Sequence, residues 1–404
     1  MIKFLGSIPK ESLVGKKVLL RVDFNVPIKQ RQETRDKRQL KIASDFKAKA
    51  QKETINYLLE NGAKILLVSH HDHLESFLPI VEEVGTILGQ IISLVSHAEF
   101  SSMDLLFQTS PILFLDNIRQ DPREEKNDEG LALSLSKGFD FFVNDAFAVS
   151  HRNHALVTSI TKFLPSYAGF LVKKETENLN LAIEAPAKGK VLVLGGAKIS
   201  TKLPVIQNFL DKAEKILIGG ALANDFWQAQ GLQMGASLVD DAVFPQLRNG
   251  VSKLVLPTDI LISKGWTLEK MKEVVVQGST ALANVKVEPC QSEMRNLKAD
   301  EAIVDIGPQS AKDFAEIIQQ AKMVIWNGPF GLSELGKFAR GTSIIAKAVS
   351  DVPRSIIGGG DTITVAAKLN LLDKFGYVST GGGAMLEFLA GNRLPGLEAL
   401  GYYE

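Results

Sequence analysis

Lys198 and Asp361 are well placed to handle a polyphosphate, because each ends a glycine-rich turn that follows an apolar run. The two turns are Val191-Leu-Val-Leu-Gly-Gly-Ala-Lys198 and Ser355-Ile-Ile-Gly-Gly-Gly-Asp-Thr362, and Tyr377-Val-Ser-Thr-Gly-Gly-Gly-Ala384 repeats the pattern. Four or so apolar residues in a row read as a buried parallel strand. Glycines at its carboxyl end let backbone N–H groups approach an anion closely. The helix that follows points its positive end at the same spot. Lys198 and Lys202 are four apart, so in a helical segment they share a face and add positive charge. Asp361 suits Mg²⁺, which takes one or two carboxylates plus phosphate oxygens. Three such turns in one half of the chain point to a polyphosphate and its metal ion. Two other nucleotide motifs fail. No Gly-x-Gly-x-x-Gly follows a strand, and Gly331-Leu-Ser-Glu-Leu-Gly-Lys-Phe338 misses the P-loop hydroxyl at Phe338.

A second set of polar residues lies in the first half, again at the ends of apolar runs, where ligands bind in open α/β sheets. Asp23 and Asn25 follow the first run, Ser69-His70-His71-Asp72-His73 the next, then Arg119, then His151-Arg152. Arginines at two strand ends can clamp a carboxylate or phosphate through paired N–H groups. The three histidines admit three readings: a solvated loop, substrate contacts or a metal site.

The elements that must position these groups alternate regularly. Strands are expected at 17–23, 64–69, 112–116 and 139–145, then at 190–194, 215–218, 302–306, 323–327, 355–357 and 377–379. Helices are expected over 45–61, 78–88, 200–213, 310–321 and 338–350, the first with Asp45 as N-cap. This alternation predicts an α/β fold of two Rossmann-like domains with mostly parallel sheets. The seam is 171–186, a connecting helix that ends at Pro186, between domains at 1–170 and 187–390. The basic stretch 29–41 reads as a solvated loop.

Composition narrows the function classes. The 404 residues carry a formal net charge of zero, so nothing favours nucleic acid or an anionic membrane surface. Cys290 is the only cysteine, which fits a reducing cytoplasm. Met1-Ile-Lys-Phe-Leu-Gly does not begin a signal peptide, and no apolar run is long enough to span a membrane.

In order, Arg21-Val-Asp-Phe-Asn-Val-Pro27, Ser69-His70, Asp116-Asn-Ile-Arg119, Val143-Asn-Asp-Ala-Phe147 with His151-Arg152, Gly195-Gly-Ala-Lys198 with Lys202, Trp326-Asn-Gly-Pro329, Gly358-Gly-Gly-Asp-Thr362 and Ser379-Thr-Gly-Gly-Gly-Ala384 run through the whole chain. In this the chain resembles the phosphoglycerate kinase family. The resemblance implies a cytoplasmic, monomeric glycolytic kinase. It would transfer a phosphoryl group reversibly between 1,3-bisphosphoglycerate and ADP, giving 3-phosphoglycerate and ATP, with Mg²⁺ on the nucleotide.

The resemblance also implies roles. Asp23, Phe24, Asn25, Lys47, His70, His71, Asp72, His73, Arg119 and Arg152 would form the sugar-acid site of the first domain, onto which 391–404 packs back. Gly196, Lys198, Lys202, Gly219, Gly220, Asn327, Pro329, Glu334, Gly359, Gly360, Asp361 and Thr362 would hold the nucleotide, with Asp361 on the metal. Lys198, Lys47 and the amide region at Gly382 would act in catalysis, and closure of the two domains would expel water.

The departures from the family cluster in the first domain. The usual Ser-His-x-Gly-Arg-Pro is here Ser69-His70-His71-Asp72-His73-Leu74, and Lys47 stands where the family has a catalytic arginine. Residues 29–41 look inserted, and Gln120 replaces a phenylalanine. Lysine keeps the charge but loses the paired N–H fork. Arg35 or Arg38 of the insertion is a possible substitute for the lost arginine. The alternative reading is a catalytically weak homologue that binds nucleotide as a regulatory or binding protein.

Overall fold

Aliphatic runs become strands here because both faces of each main sheet are covered. The computed structural model describes residues 1–30, 40–197, 199–240, 251–271, 290–333 and 335–404. The chain forms two compact units, Met1–Glu177 with Arg393–Glu404, and Asn178–Asn392.

In the first unit, strands β1 (Lys17–Arg21), β4 (Lys64–Val68), β5 (Ser93–Val95), β6 (Ile112–Leu115), β7 (Phe141–Asn144) and β8 (Ser166–Ala168) form a parallel sheet of order β5-β6-β4-β1-β7-β8. Alternate residues serve opposite faces. Val18, Leu20, Ile65, Leu67, Ile112 and Phe114 enter one core cluster, while Leu19, Leu66, Leu113, Leu115 and Phe142 enter another. β6, β4, β1 and β7 are neighbours, so the polar residues after each lie side by side along one sheet edge.

Ile28–Gln30 (β2) and Leu40–Ile42 (β3) pair antiparallel, with Ile28 opposite Ile42 and Lys29 opposite Lys41. The loop expected over 29–41 is therefore, on its described flanks, a hairpin. The reason is period two: Ile42 is buried and Ile28 and Leu40 pack on the core, while Lys29 and Lys41 face water. Arg35 and Arg38 lie outside the described residues.

The helix expected over 45–61 is two helices, Phe46–Ala50 and Lys52–Glu60. Asp45 makes no capping bond; its carboxylate pairs instead with Lys49 at 2.8 Å. The segment Phe170–Glu184 is one helix across the boundary of the two units. Its first amides are taken by Asp145 Oδ1, which accepts from Leu171 N at 2.8 Å, and by Thr54 Oγ1, which accepts from Phe170 N at 3.0 Å. At the far end of the chain, Gly396 N donates to Ser150 O at 2.8 Å within the first unit.

The second unit repeats the plan. Strands β9 (Lys190–Leu194), β10 (Lys215–Ile218), β11 (Leu254–Val255), β15 (Met323–Asn327), β16 (Ser355–Gly358) and β17 (Tyr377–Val378) make a parallel sheet of order β11-β10-β9-β15-β16-β17. The strand expected at 302–306 exists as β14 (Glu301–Ile306), but outside this parallel series. It pairs antiparallel with β12 (Asp259–Lys264), whose other neighbour is β13 (Cys290–Glu293). An apolar run looks the same whichever way its neighbour points; only the partner decides the direction. No described helix is long and apolar enough to cross a membrane.

Candidate active site

The sheet edge of the first unit gathers most of the polar residues expected there. Asp23 is buried, and Lys47, near the start of its helix, donates to Asp23 Oδ2 at 2.8 Å. Burial alone raises the pKa of Asp23, but the Lys47 charge and hydrogen bonds from Lys47 and Asn25 N–H hold it below the usual carboxylate value. Asn25 Nδ2 donates to Asp72 Oδ2 at 2.7 Å. Arg119 Nη1 lies 3.4 Å from Asp72 Oδ1 and also pairs with Glu125. The Nε and Nη2 of Arg119 are buried with no hydrogen-bond partner among the described residues. Buried donors of that kind normally have an acceptor, and in a basic site that acceptor is an anion. The charges of Arg119 and Arg152 both favour the ionised form of Asp72.

His70 is buried, and its Nδ1 sits 3.4 Å from Arg21 Nη2. Burial first, and the Arg21 charge second, push its pKa down to about 3, so the ring is neutral at pH 7. With Arg21 as donor, Nδ1 accepts and the proton is on Nε2, the atom 4.0 Å from Asp72 Oδ1.

Three of the residues expected to touch substrate are placed differently. Phe24 is fully buried, edge-on to Phe114 at 5.4 Å; only its backbone works at the edge, donating to Ser69 Oγ. His71 is buried with both ring nitrogens used, since Nδ1 accepts from His73 N at 3.1 Å and Nε2 donates to Val26 O at 2.9 Å. His73 is exposed, its ring edge-on to His71. The rings of His70, His71 and His73 therefore point to Arg21, to Val26 and to solvent, and do not converge on one ion. Asp72 has the wrong sign to bind an anion and instead uses donors of the site.

In the second unit the glycine turns meet. Gly195 N donates to Asn327 O, Gly196 N to Pro329 O and Gly219 N to Leu194 O, so these turns are tied by continued backbone pairing. This corrects one expectation, because the Gly196 and Gly219 amides are already committed. A side-chain carbon on Gly219 would stand 2.6 Å from the Phe330 ring, and one on Gly220 would stand 2.8 Å from Gly196 N. A carbon on Gly196 would lie 3.2 Å from Lys202 Nζ, and one on Gly382 would lie 3.0 Å from Gly359 Cα. Gly359 has φ +98°, open to glycine but strained for other residues, and approaches Asn327 Nδ2, a buried donor with no partner among the described residues.

The amides that remain available are those of first helical turns, which have no partner inside the helix. The helices Gly360–Lys368 and Gly382–Leu389, directly after β16 and β17, start with such amides, whereas in Ala221–Ala229, after β10, Leu222 N already donates to Gly196 O and Ala223 N to Gly220 O, both at 3.0 Å. Gly196, Gly220, Asn224, Pro329, Leu332 and Asp361 line a recess there. Thr362 is buried, its hydroxyl accepting from Gly328 N at 2.8 Å and bracing two turns. Lys198 and Glu334 lie outside the described residues.

The sequence profile of the family described as "Phosphoglycerate kinase" matches residues 8–392. The chain belongs to the phosphoglycerate kinase family. It is 39% identical over 408 residues to the phosphoglycerate kinase of Roseiflexus sp. (strain RS-1), with 96% of each chain covered. The enzyme of Roseiflexus castenholzii is 40% identical over 409 residues, again with 96% of each covered. Among solved structures, phosphoglycerate kinase from Pyrococcus horikoshii OT3 matches with a TM-score of 0.79 at 30% identity, covering 99% of this chain and 98% of that one. The Coxiella burnetii enzyme matches with a TM-score of 0.76 at 29% identity over the whole of both.

Against the family pattern, the departures are now located. Lys47, expected to stand where the family has an arginine, spends its ammonium on Asp23. Asp72 and His73, expected to replace the glycine and arginine of the family motif, put a carboxylate beside Arg119 and an imidazole in solvent. Some residues escaped the sequence reading. Asn117 holds the histidine turn by donating to His71 O and Leu74 O. His154 lies near the arginines; burial, then the charges of Arg119 and Arg152, lower its pKa to about 4. Arg21 is buried with Nη2 at 3.4 Å from His70 Nδ1; it opens the motif Arg21-Val-Asp-Phe-Asn-Val-Pro27, but as one charge inside the apolar Leu19-Leu-Arg-Val22 it carried no assigned role. Asp305 borders the nucleotide-side recess, its pKa raised to about 7 by burial.

Proposed function

We propose that the two units divide one phosphoryl transfer between them, the first holding the sugar acid and the second the nucleotide. The chain is a glycolytic kinase of this family, whose reaction moves a phosphoryl group reversibly between 1,3-bisphosphoglycerate and ADP. Arg119, through its unpaired Nε and Nη2, Arg152, the Nε2–H of His70 and Asn25 bind the anionic groups of the acid. Asp23 keeps Lys47 in place, and Lys47 supplies the charge that the family's arginine supplies elsewhere.

In the second unit the first amides of the helices at Gly360 and Gly382, with Lys202 and Lys198, face the phosphates. Asn327 and Pro329 line the site, and Glu334 matches the family's ribose contact. The nucleotide enters as its Mg²⁺ complex. One carboxylate at the recess, Asp361, with phosphate oxygens and water for the rest, fits what Mg²⁺ takes. Bound there, Mg²⁺ would supply charge to the phosphate oxygens, and the chain's own amides and lysines would stabilise the equatorial oxygens of the moving group. Such transfer asks for positioning and electrostatics more than for covalent help. We place the enzyme in the cytoplasm as a monomer, where a single cysteine, Cys290, suits the reducing conditions.

The observation that carries this reading is that Gly196, Gly220, Pro329 and Asp361 line one recess, with Lys202 close to Gly196 and Asn327 close to Gly359. Nothing in the structure or the relatives favours a regulatory homologue. The test is a coupled assay of ADP formation from 3-phosphoglycerate and MgATP, beside a Lys198→Ala control. Turnover of roughly 1–1000 per second that the control loses supports the kinase. Nucleotide binding without turnover sinks it.

A further inference from the structure

The basic site of the first unit contains an anion of its own. Asp72 lies on the turn after β4, with its side chain 34% exposed at the mouth of the site. Its Oδ2 accepts from Asn25 Nδ2 at 2.7 Å, and its Oδ1 is 3.4 Å from Arg119 Nη1 and 4.0 Å from the protonated nitrogen of His70. The backbone closes the same grip, since Asp72 N donates to Asn25 Oδ1 at 3.3 Å. Asn25, His70 and Arg119 are the groups assigned above to the sugar acid, so one carboxylate of the protein meets three of the groups meant for the substrate.

We propose that Asp72 is a built-in competitor for the acid: its carboxylate occupies Asn25 Nδ2 and sits beside Arg119 Nη1, so an anionic group of 3-phosphoglycerate that takes Asn25 Nδ2 and the unpaired Nε and Nη2 of Arg119 must displace it or lie against its charge. Asp72 therefore sets the affinity of the enzyme for its acid substrate without touching the nucleotide. If it stays beside the bound acid, like charges repel; if it swings out, its own bonds are lost. Both routes weaken binding. The inference rests on reading this edge as the sugar-acid site.

The discriminating variant is Asp72→Asn, which removes the charge but keeps an oxygen for Asn25 Nδ2. The KM for 3-phosphoglycerate is expected to fall about tenfold, the effect of about 1.4 kcal/mol, with the KM for MgATP unmoved. Calorimetric titration with 3-phosphoglycerate alone should show the same gain in Kd. Inorganic phosphate, as a competitor of the acid, should bind more tightly by a similar factor. An unchanged or raised KM for the acid in a folded variant overturns the proposal. Failure of wild type and variant alike to bind 3-phosphoglycerate removes the site assignment itself, and the proposal with it. Turnover and acid binding in wild type, unaltered by the variant, reject the proposal while leaving the site assignment standing.

Discussion

Asp23 and Lys47 show how one ion pair can serve both stability and the site. Asp23 is nearly fully buried, so its charge depends on Lys47 at 2.8 Å. Removing one partner of such a pair strands the other. Lys47→Ala is expected to cost about 1–3 kcal/mol of stability, and Asp23→Asn in the same chain should return part of that loss. A double-mutant cycle by denaturant unfolding measures the coupling; strict additivity would show that the pair does no structural work. Lys47→Arg should keep the contact with Asp23 and, by adding a paired N–H fork, should match or exceed wild-type turnover. Arg119→Lys should hurt acid binding more than a charge-conserving change suggests, because lysine lacks Nε and Nη2. A rise in KM for 3-phosphoglycerate of tenfold or more, with little change for MgATP, is the expected result.

At the scale of elements, the helix Phe170–Glu184 and the glycine turns carry the testable physics. Asp145 caps that helix, and burial raises its pKa to about 7. A carboxyl that is neutral when folded but ionised when unfolded stabilises fully below its unfolded value near 3.8. That contribution is lost as pH rises through 7. Stability should therefore decline between about pH 4 and 7, and Asp145→Asn should flatten the decline. It should not abolish it, since burial raises Asp225 and Asp305 to about 7 as well. Urea midpoints across that range decide the matter, and identical slopes for wild type and variant would refute the linkage. The turn at Gly359 is strained for any other residue at φ +98°, and a side chain there meets Asn327. Gly359→Ala should cost about 1–2 kcal/mol and raise the KM for MgATP, read by unfolding and initial rates.

At the scale of the whole molecule, the proposed separation of ligands between units predicts separable losses. Chelating Mg²⁺ with EDTA should abolish turnover, yet leave 3-phosphoglycerate binding to the first unit intact by calorimetry. Loss of both together would tie the acid to the metal and contradict the division of labour. MgADP at a hundredfold its Kd should stabilise the unit that holds it by about 2.7 kcal/mol. The unit Asn178–Asn392 should then resist proteolysis more than the first unit does.

Much of this was legible in the residues alone. Strands β9, β10 and β15 begin and end where the apolar runs do, because a strand covered on both faces must be apolar throughout. The glycine turns, Asp361 and the polar ends of the first-half strands were equally plain, since backbone approach and charge leave local marks. The hairpin β2–β3 was not, because its strands are three residues long and basic on the outer side. Nor was the antiparallel home of β14, because pairing direction belongs to the partner. Above all, Asp72 and His71 stood together in one short motif with nothing local to separate them. The sequence by itself determined the family, the alternation of strands and helices, and the chemistry available at each strand end. Only the tertiary structure decided which of those groups are held by other side chains and which keep unpaired donors. Whether His71 is locked to Val26 O, or Asp72 is held by Asn25 and Arg119, depends on residues some 45 positions away that the sheet order brings together.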